Sequence, residues 1–433
     1  MEAIMSRARS LVSRNRHQQS SSHGARDASL GEPGLFQNLI RPKKLESLFL
    51  FVTSKCNSKC KTCFYAEHLN DGRDMTLEQI LKISETAPRF DKLWLSGGEP
   101  ILRKDLARIV EAFVANNGVT AVNFPTNGLL YTPLEKTVSR LLETCPDLTI
   151  HLNFSLDGMP EGHDEVRGIP GAFQKTVTNM KRIEKRFAGN PRLLVNVATV
   201  ITPQAYGEML DLGRYLLAEH DIAVQFFETV RGDPKDPETK TLTREQLEAL
   251  HAQLIPLHGQ MADRLFSNLP RPARALARSS FLGVLRFVYD IHERNLEEPS
   301  AWPMPCTAGT TTIVVDHDGQ FRSCELRPPI GHLSDHDYDL TAALNSQAMQ
   351  EEVQAIGGGG RANCWCTHTC WILSSLKFSP KAMLTDVPKS FIEALFQNHG
   401  FEPKTSAQIL ERYPDLDRIQ KASADPQGDE VEG

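Results

Sequence analysis

Apolar runs of strand length alternate with stretches of helical periodicity between Glu46 and about Thr229. One of the helical stretches is expected to begin after Thr76, because Gln79 three residues later completes a capping-box pattern. Six βα units in succession predict a parallel sheet, either doubly wound or curved into an incomplete barrel. The six predicted strands are Leu48–Thr53, Lys92–Ser96, Val119–Phe124, Leu148–Ser155, Leu193–Ile201 and Ala223–Thr229.

The remainder of the chain has a different pattern. Residues 231–240 form a turn-rich break, and the stretch from Thr243 to about Arg294 is predicted to be helical. Residues 311–323 predict a β-hairpin that turns at Asp318-Gly319. We therefore predict five regions: a disordered arm at 1–44, a core at 45–235, a helical linker at 236–301, a cysteine-rich domain at 302–375, and a helical extension with an acidic tail at 376–433.

Composition and charge narrow the class of protein. The chain has 433 residues, with 48 basic and 54 acidic side chains and a net charge of −6. No general positive field is present to hold nucleic acid or an anionic membrane. The longest apolar runs, such as Leu48–Val52, are far shorter than the run of about 20 residues that crosses a bilayer. We expect a soluble, cytoplasmic protein without nucleic-acid or membrane partners.

Nine cysteines are too few for a disulfide scaffold in a chain of this length, and their clustering indicates metal binding. Cys56, Cys60 and Cys63 directly follow the first predicted strand, where parallel α/β folds build their sites. Three thiolates can hold a [4Fe–4S] cluster that keeps one iron open for a chelating molecule. A zinc site completed by His68 is the alternative, although it leaves the later motifs unexplained. Cys145, which stands alone, is expected to be a core thiol.

Further motifs follow the next strands in order. Gly97-Gly98-Glu99-Pro100 comes after the second strand, Thr126-Asn127-Gly128 after the third, and Ser155-Leu156-Asp157-Gly158 after the fourth, with Arg167 twelve residues beyond Ser155. Together with Cys-x3-Cys-x2-Cys, these elements resemble the radical S-adenosylmethionine (SAM) superfamily. The sequence departs from many relatives at Thr62, where they place an aromatic residue.

The resemblance implies an α/β fold with a partial (β/α)6 barrel of the radical SAM type and a SAM molecule chelated to the open iron. It also implies that the acid of the GGE element receives the SAM ammonium group and that an arginine fork binds the methionyl carboxylate. The residues that it assigns to cofactor binding are Gly97, Gly98, Glu99, Asn127, Ser155, Asp157 and Arg167.

A second cysteine group lies in the third segment of the chain, at Cys306, Cys324, Cys364, Cys366 and Cys370. Its C-x12-G-x4-C element is similar to the entry of SPASM and twitch domains, small domains that hold auxiliary [4Fe–4S] clusters. Five cysteines imply one auxiliary cluster and one spare cysteine. A zinc knuckle that includes His368 is the alternative. By the same resemblance, Glu325 is either the base that deprotonates the substrate or a structural acid.

The family resemblance implies an enzyme that cleaves SAM reductively, abstracts a substrate hydrogen and passes an electron to the auxiliary cluster. It further implies an electron donor such as flavodoxin or ferredoxin. A small metabolite of the sugar or cyclitol type is the favoured substrate, because the 44-residue arm is too short for a domain that grips a leader peptide. A peptide substrate is the alternative, and a non-catalytic zinc or iron–sulfur protein is the remote one.

Overall fold

The computed structural model describes residues 44–296, 302–357, 366–396, 406–414 and 416. The chain divides into two compact units that alternate along the sequence. Among the described residues, the sheet unit includes 45–242, 312–352, 406–414 and 416, and the helical unit includes 44, 243–296, 302–311, 353–357 and 366–396.

All six strands predicted from the sequence are present, and their ends lie within two residues of the predicted ones. They are Ser47–Thr53 (β1), Lys92–Gly97 (β2), Ala121–Thr126 (β3), Thr149–Ser155 (β4), Leu193–Ile201 (β5) and Gln225–Thr229 (β6). Each strand pairs in parallel with the next, from β1 through to β6. All seven residues of β1 are buried, which is typical of a parallel strand covered on both faces.

Three more strands extend the sheet beyond β1: Thr312–Val315 (β7), Gln320–Arg322 (β8) and Gly331–His332 (β9). β7 is parallel to β1, while β8 and β9 are antiparallel to their neighbours. The predicted hairpin is confirmed, with Gly319 at its turn at a φ of +96°. Within the described residues the sheet is open, with β6 and β9 at its edges. The predicted α/β class and incomplete barrel are thus confirmed.

Six helices connect the first strands: Leu77–Thr86 (α1), Leu106–Asn117 (α2), Tyr131–Thr144 (α3), Pro160–Arg167 (α4), Ala172–Arg186 (α5) and Met209–Glu219 (α6). The predicted capping box at the start of α1 is present. The Thr76 side chain accepts from the Gln79 backbone N–H, and the Gln79 side chain accepts from the Thr76 N–H. Both bonds satisfy N–H groups that the first helical turn leaves without partners.

The helical unit begins with Arg244–Leu265 (α7) and Arg271–Asn295 (α8). The sequence predicted one continuous helical stretch here, whereas the structure ends α7 at Leu265 and begins α8 after Pro270, with Pro272 in the first helical turn, where proline is tolerated. The other α-helices among the described residues are Leu340–Leu344 (α9), Gln347–Gly357 (α10), Thr369–Leu376 (α11), Val387–Phe396 (α12) and Ser406–Arg412 (α13). In the part of the chain that is described, no helix is long and apolar enough to cross a bilayer.

Candidate functional site

The three cysteines after β1 lie half-buried in one loop, and none of them forms a disulfide. The backbone N–H of Ser58 donates to Cys56 Sγ at 3.4 Å. Burial, reinforced by the charge of Cys60, raises the pKa of Cys56 to about 11, and burial also raises the pKa of Cys63. Thiols with such pKa values stay protonated at neutral pH unless a cation displaces the proton. The three sulfurs in one loop are the donor set of a metal site.

Asp74 holds the backbone where this loop begins. Its carboxylate accepts from the Ser54 N–H at 2.6 Å and from the Thr53 hydroxyl at 2.5 Å. Asn70, which has a φ of +60°, accepts from the Cys56 N–H through its side-chain oxygen at 3.1 Å. These contacts fix Thr53 and Ser54, where the loop begins, and Cys56 itself.

A chain of three side chains, buried at Tyr65 and His317 and exposed at Asp71, ties the cysteine loop to the β7–β8 hairpin. The Tyr65 hydroxyl lies 2.5 Å from His317 Nδ1, and His317 Nε2 lies 3.0 Å from both carboxylate oxygens of Asp71. Tyr65 comes two residues after Cys63, while His317 follows β7. Sequence reasoning did not identify these residues, because contacts across about 250 positions leave no local pattern.

The two glycines after β2 pack against the start of the cysteine loop. A Cβ on Gly97 would lie 2.3 Å from the Thr53 carbonyl oxygen, and one on Gly98 would lie 2.1 Å from that of Lys55. Gly97 also has a φ of +118°, which L side chains rarely adopt. The Gly98 and Glu99 N–H groups donate to these same two carbonyls at 2.8 Å. The predicted need for small residues has a direct cause here, since two backbone segments touch.

Glu99 and Asn127 form the next layer of the site. The buried Glu99 carboxylate accepts from the Asn127 backbone N–H at 2.7 Å. The Asn127 side-chain amide donates to Asn57 Oδ1 at 2.7 Å and to Ser58 Oγ at 3.0 Å, both within the cysteine loop. Burial raises the pKa of Glu99 to about 7, although the Asn127 N–H stabilises its charged form. Glu99 can therefore change its charge in the neutral pH range.

Arg167 reaches the cysteine loop from the end of α4. Its Nη1 donates to Cys60 Sγ at 3.5 Å, and its Nε lies 2.7 Å from Asp157 Oδ2. Asp157 is fully buried and accepts from the Val200 N–H at 2.9 Å, which fixes the carboxylate that orients the guanidinium. Ser155 stands apart from these contacts, half-buried at the end of β4.

Glu325 is linked to the cysteine loop through Arg231, which contacts both Glu325 and Phe64. Arg231 lies just beyond β6, with Nη2 3.4 Å from Glu325 Oε2 and Nη1 3.6 Å from Glu228 Oε2. Its guanidinium carbon is 5.2 Å from the centre of the Phe64 ring, next to Cys63. The Glu325 side chain is 2% exposed. Sequence reasoning missed Arg231, although a charged residue at the carboxyl end of a strand was an available signal.

The second cysteine group is divided between the two units. Cys306, Cys366 and Cys370 belong to the helical unit, whereas Cys324 belongs to the sheet unit, and Cys364 lies outside the described residues. None of the four described cysteines forms a disulfide. In the helical unit, the Cys366 carbonyl accepts from the Trp302 indole N–H at 2.9 Å, and Cys366 Sγ accepts from the His368 N–H at 3.4 Å. Cys145 is buried, as expected of a core thiol.

Comparison with known proteins gives a family match. Residues 50–216 match the model of the Radical SAM superfamily. A probable GTP 3',8-cyclase of Methanococcus maripaludis is 28% identical over 66% of this chain and 86% of its own length. Matches to two other archaeal proteins cover about half of each relative. One is a probable GTP 3',8-cyclase of Methanocaldococcus jannaschii, which is 31% identical over 32% of this chain and 46% of its own length. The other is the tungsten-containing aldehyde ferredoxin oxidoreductase cofactor-modifying protein of Pyrococcus furiosus, which is 29% identical over 40% of this chain and 48% of its own length.

Solved structures agree on the fold. The native anSMEcpe structure with bound AdoMet matches 87% of this chain and 99% of its own at 17% identity and a TM-score of 0.52. Streptococcus suis SuiB bound to its precursor peptide SuiA matches 79% of this chain and 77% of its own at 14% identity and a TM-score of 0.50.

Proposed function

We propose that this chain, whose residues 50–216 match the model of the Radical SAM superfamily, is a radical SAM enzyme, an oxidoreductase that removes hydrogen from a small metabolite. The observation that carries the proposal is the convergence of Glu99, Asn127 and Arg167 on one loop of three free cysteines. A purely structural metal site would not need a buried acid and an oriented guanidinium beside it.

The residues around Cys56, Cys60 and Cys63 fit a [4Fe–4S] cluster. Three thiols leave one iron open, and N–H groups of Ser58 and Arg167 point at the sulfurs, as hydrogen bonds to cluster sulfurs do. With SAM bound, the cluster supplies a 5'-deoxyadenosyl radical that takes hydrogen from unactivated carbon.

The chain's own residues bind and orient SAM in this proposal. Glu99 accepts the amino group of its methionyl part, and Arg167 binds the carboxylate, while Asp157 holds the guanidinium in place. Ser155 and Asn127 complete the binding surface. Gly97 and Gly98 set the distance between this surface and the cysteine loop.

Glu325 is the proposed base. Oxidation of a carbon radical is easier once the neighbouring hydroxyl has lost its proton, and Glu325 would accept that proton. The Arg231 guanidinium lies 3.4 Å from Glu325 Oε2 and would hold the carboxylate in place. Arg231 also contacts the Phe64 ring, next to Cys63, which connects this acid to the cysteine loop.

The second cysteine group would bind one auxiliary [4Fe–4S] cluster that accepts the substrate electron. Four of Cys306, Cys324, Cys364, Cys366 and Cys370 would serve as ligands. In the described part of this group no cysteine is in a disulfide, and the His368 N–H donates to Cys366 Sγ, as N–H groups do to cluster sulfurs.

A small metabolite is favoured by the charges near Glu325. Glu228 and Glu325 place two carboxylates against one guanidinium, which suits a substrate with hydroxyl or amino groups and disfavours a phosphate at this position. Peptide modification is the second candidate, because SuiB, a structural neighbour, binds a precursor peptide.

Two measurements test the proposal. The reconstituted enzyme, reduced with dithionite, should convert SAM to 5'-deoxyadenosine, and absence of this product would contradict the radical SAM role. Extracts of host cells grown in deuterated medium should then be separated by size and added to the enzyme. Deuterium should enter 5'-deoxyadenosine with the low-mass fraction, and entry with the peptide fraction alone would favour the second candidate.

A further inference from the structure

A basic cavity of about 590 Å³ opens in the sheet unit beside the cysteine loop. Its lining includes five basic residues against two acidic ones, Asp74 and Asp105. The basic residues are Lys55, Arg103, Lys104, Arg108 and Arg140. The first residues of α1 and the N-cap of α2 also line it, and the positive ends of these helix dipoles add to the field.

Part of this positive charge is neutralised within the chain. Arg103, with a side chain only 10% exposed, pairs with Asp105 and donates to the carbonyls of Val52 and Met75. Arg140 pairs with Glu111 at 2.7 Å. Lys55, Lys104 and Arg108 are exposed, and among the described residues they form no ion pair.

The arrangement indicates a macromolecular partner more than a small anion. A site for a small anion aims buried donors at its ligand. The buried guanidinium of Arg103 already donates to the backbone carbonyls of Val52 and Met75. The uncommitted cations lie on the surface, where they act through long-range attraction to a negatively charged protein. Lys55 directly precedes Cys56, so a protein that binds at Lys55 lies next to a proposed cluster ligand.

We propose that this basic surface, defined by Lys55, Lys104 and Arg108, docks an acidic electron-transfer protein that reduces the enzyme. The proposal rests on the proposed function, since a radical SAM enzyme needs a reductant. In each docking event the partner is oxidised by one electron, the cluster held by Cys56, Cys60 and Cys63 is reduced by one electron, and no atom is transferred. Complexes of this kind have small interfaces and depend strongly on charge.

The test compares two double variants of the reconstituted enzyme with the parent. Lys104→Glu/Arg108→Glu reverses two charges of the basic surface. Lys175→Glu/Lys185→Glu, on exposed positions of α5 that do not line the cavity, makes the same change of charge elsewhere. The dissociation constant for a flavodoxin is measured at low and at high salt, together with SAM cleavage driven by reduced flavodoxin or by dithionite.

We expect Lys104→Glu/Arg108→Glu to weaken flavodoxin binding about tenfold at low salt, and the difference to vanish at about 1 M salt. Cleavage driven by flavodoxin should fall with it, while dithionite-driven cleavage stays at the parent's rate. Equal binding by both double variants would overturn the proposal. So would an equal loss of dithionite-driven cleavage, which would assign the cavity to SAM or substrate. Failure of the proposed function looks different, since the parent itself would then not cleave SAM with dithionite.

Discussion

At the scale of single residues, Arg167 is oriented by one buried acid and directed at one cysteine. Replacing it with alanine should weaken SAM binding by about 2–3 kcal/mol, or some thirty- to over a hundredfold, because a bidentate contact to a carboxylate is lost. Arg167→Lys should restore the binding only in part, since lysine lacks the fork. Calorimetry on the cluster-loaded protein measures the effect, and affinity like the parent's in Arg167→Ala would remove Arg167 from the SAM site.

Glu99 gives SAM binding a pH dependence. Its pKa is raised by burial to about 7, so below that pH the carboxyl gains a proton and no longer attracts the SAM amino group as an anion. Affinity should therefore fall by up to about tenfold per pH unit as the pH drops below 7. The Glu99→Gln variant should bind SAM weakly and lose this acidic limb, and a limb that survives in the variant would belong to another group.

Glu325 and Glu228 contact the same guanidinium, which offers a matched pair of variants. Glu325→Gln keeps the size of the side chain but removes the base, so substrate oxidation should fall by about 10²-fold or more while SAM cleavage continues. Glu228→Gln, which takes a similar charge from Arg231, should retain most product formation. Full product formation by a cluster-loaded Glu325→Gln enzyme would exclude Glu325 as the base.

At the scale of elements, the contact between the β2 glycines and the cysteine loop can be tested by adding one methyl group. Gly98→Ala would place a Cβ 2.1 Å from a backbone oxygen, so the loop must shift at a cost of about 1–3 kcal/mol. Iron bound at the loop should be lost, and iron analysis with thermal unfolding measures both effects. Gly207→Ala is the control, because nothing lies within 4 Å of its added Cβ. Normal iron content in Gly98→Ala would show that the loop adapts.

The strands and the order of the site motifs were predictable because both leave local signals. Apolar runs that alternate with helical stretches identify β1 to β6, and the site motifs follow successive strands in order. The neighbours of a strand leave no such signal. β7 pairs with β1 although Thr312 and Ser47 are far apart in sequence, so the sequence indicated a hairpin and not its place in the main sheet.

The same limit explains the site residues that the sequence did not reveal. Asp157 stays a predicted cofactor residue, and the structure adds that it is fully buried with its carboxylate 2.7 Å from Arg167 Nε, a pairing that the spacing alone did not indicate. His317, Asp71 and Asp74 brace the cysteine loop through contacts between distant segments. Such bracing depends on tertiary packing, which sequence periodicity does not encode.

At the scale of the whole molecule, the two cysteine groups predict two clusters per chain. The first group lies within the sheet unit, and the second includes Cys324 of that unit and three described cysteines of the helical unit. Because the two groups are separate ligand sets, removal of one should leave the other loaded.

Anaerobically reconstituted protein should therefore bind about eight irons per chain, and replacement of Cys56, Cys60 and Cys63 with alanine should leave about four. The triple variant should also lose SAM cleavage, since the open iron goes with the first cluster. Cys145→Ala is the matched control, because that buried thiol belongs to neither group and its loss should leave about eight irons. Iron and sulfide analysis with absorption spectra measures the clusters. Stoichiometric zinc without iron–sulfur absorption would refute the assignment, and retained cleavage in the triple variant would refute the role of the first group.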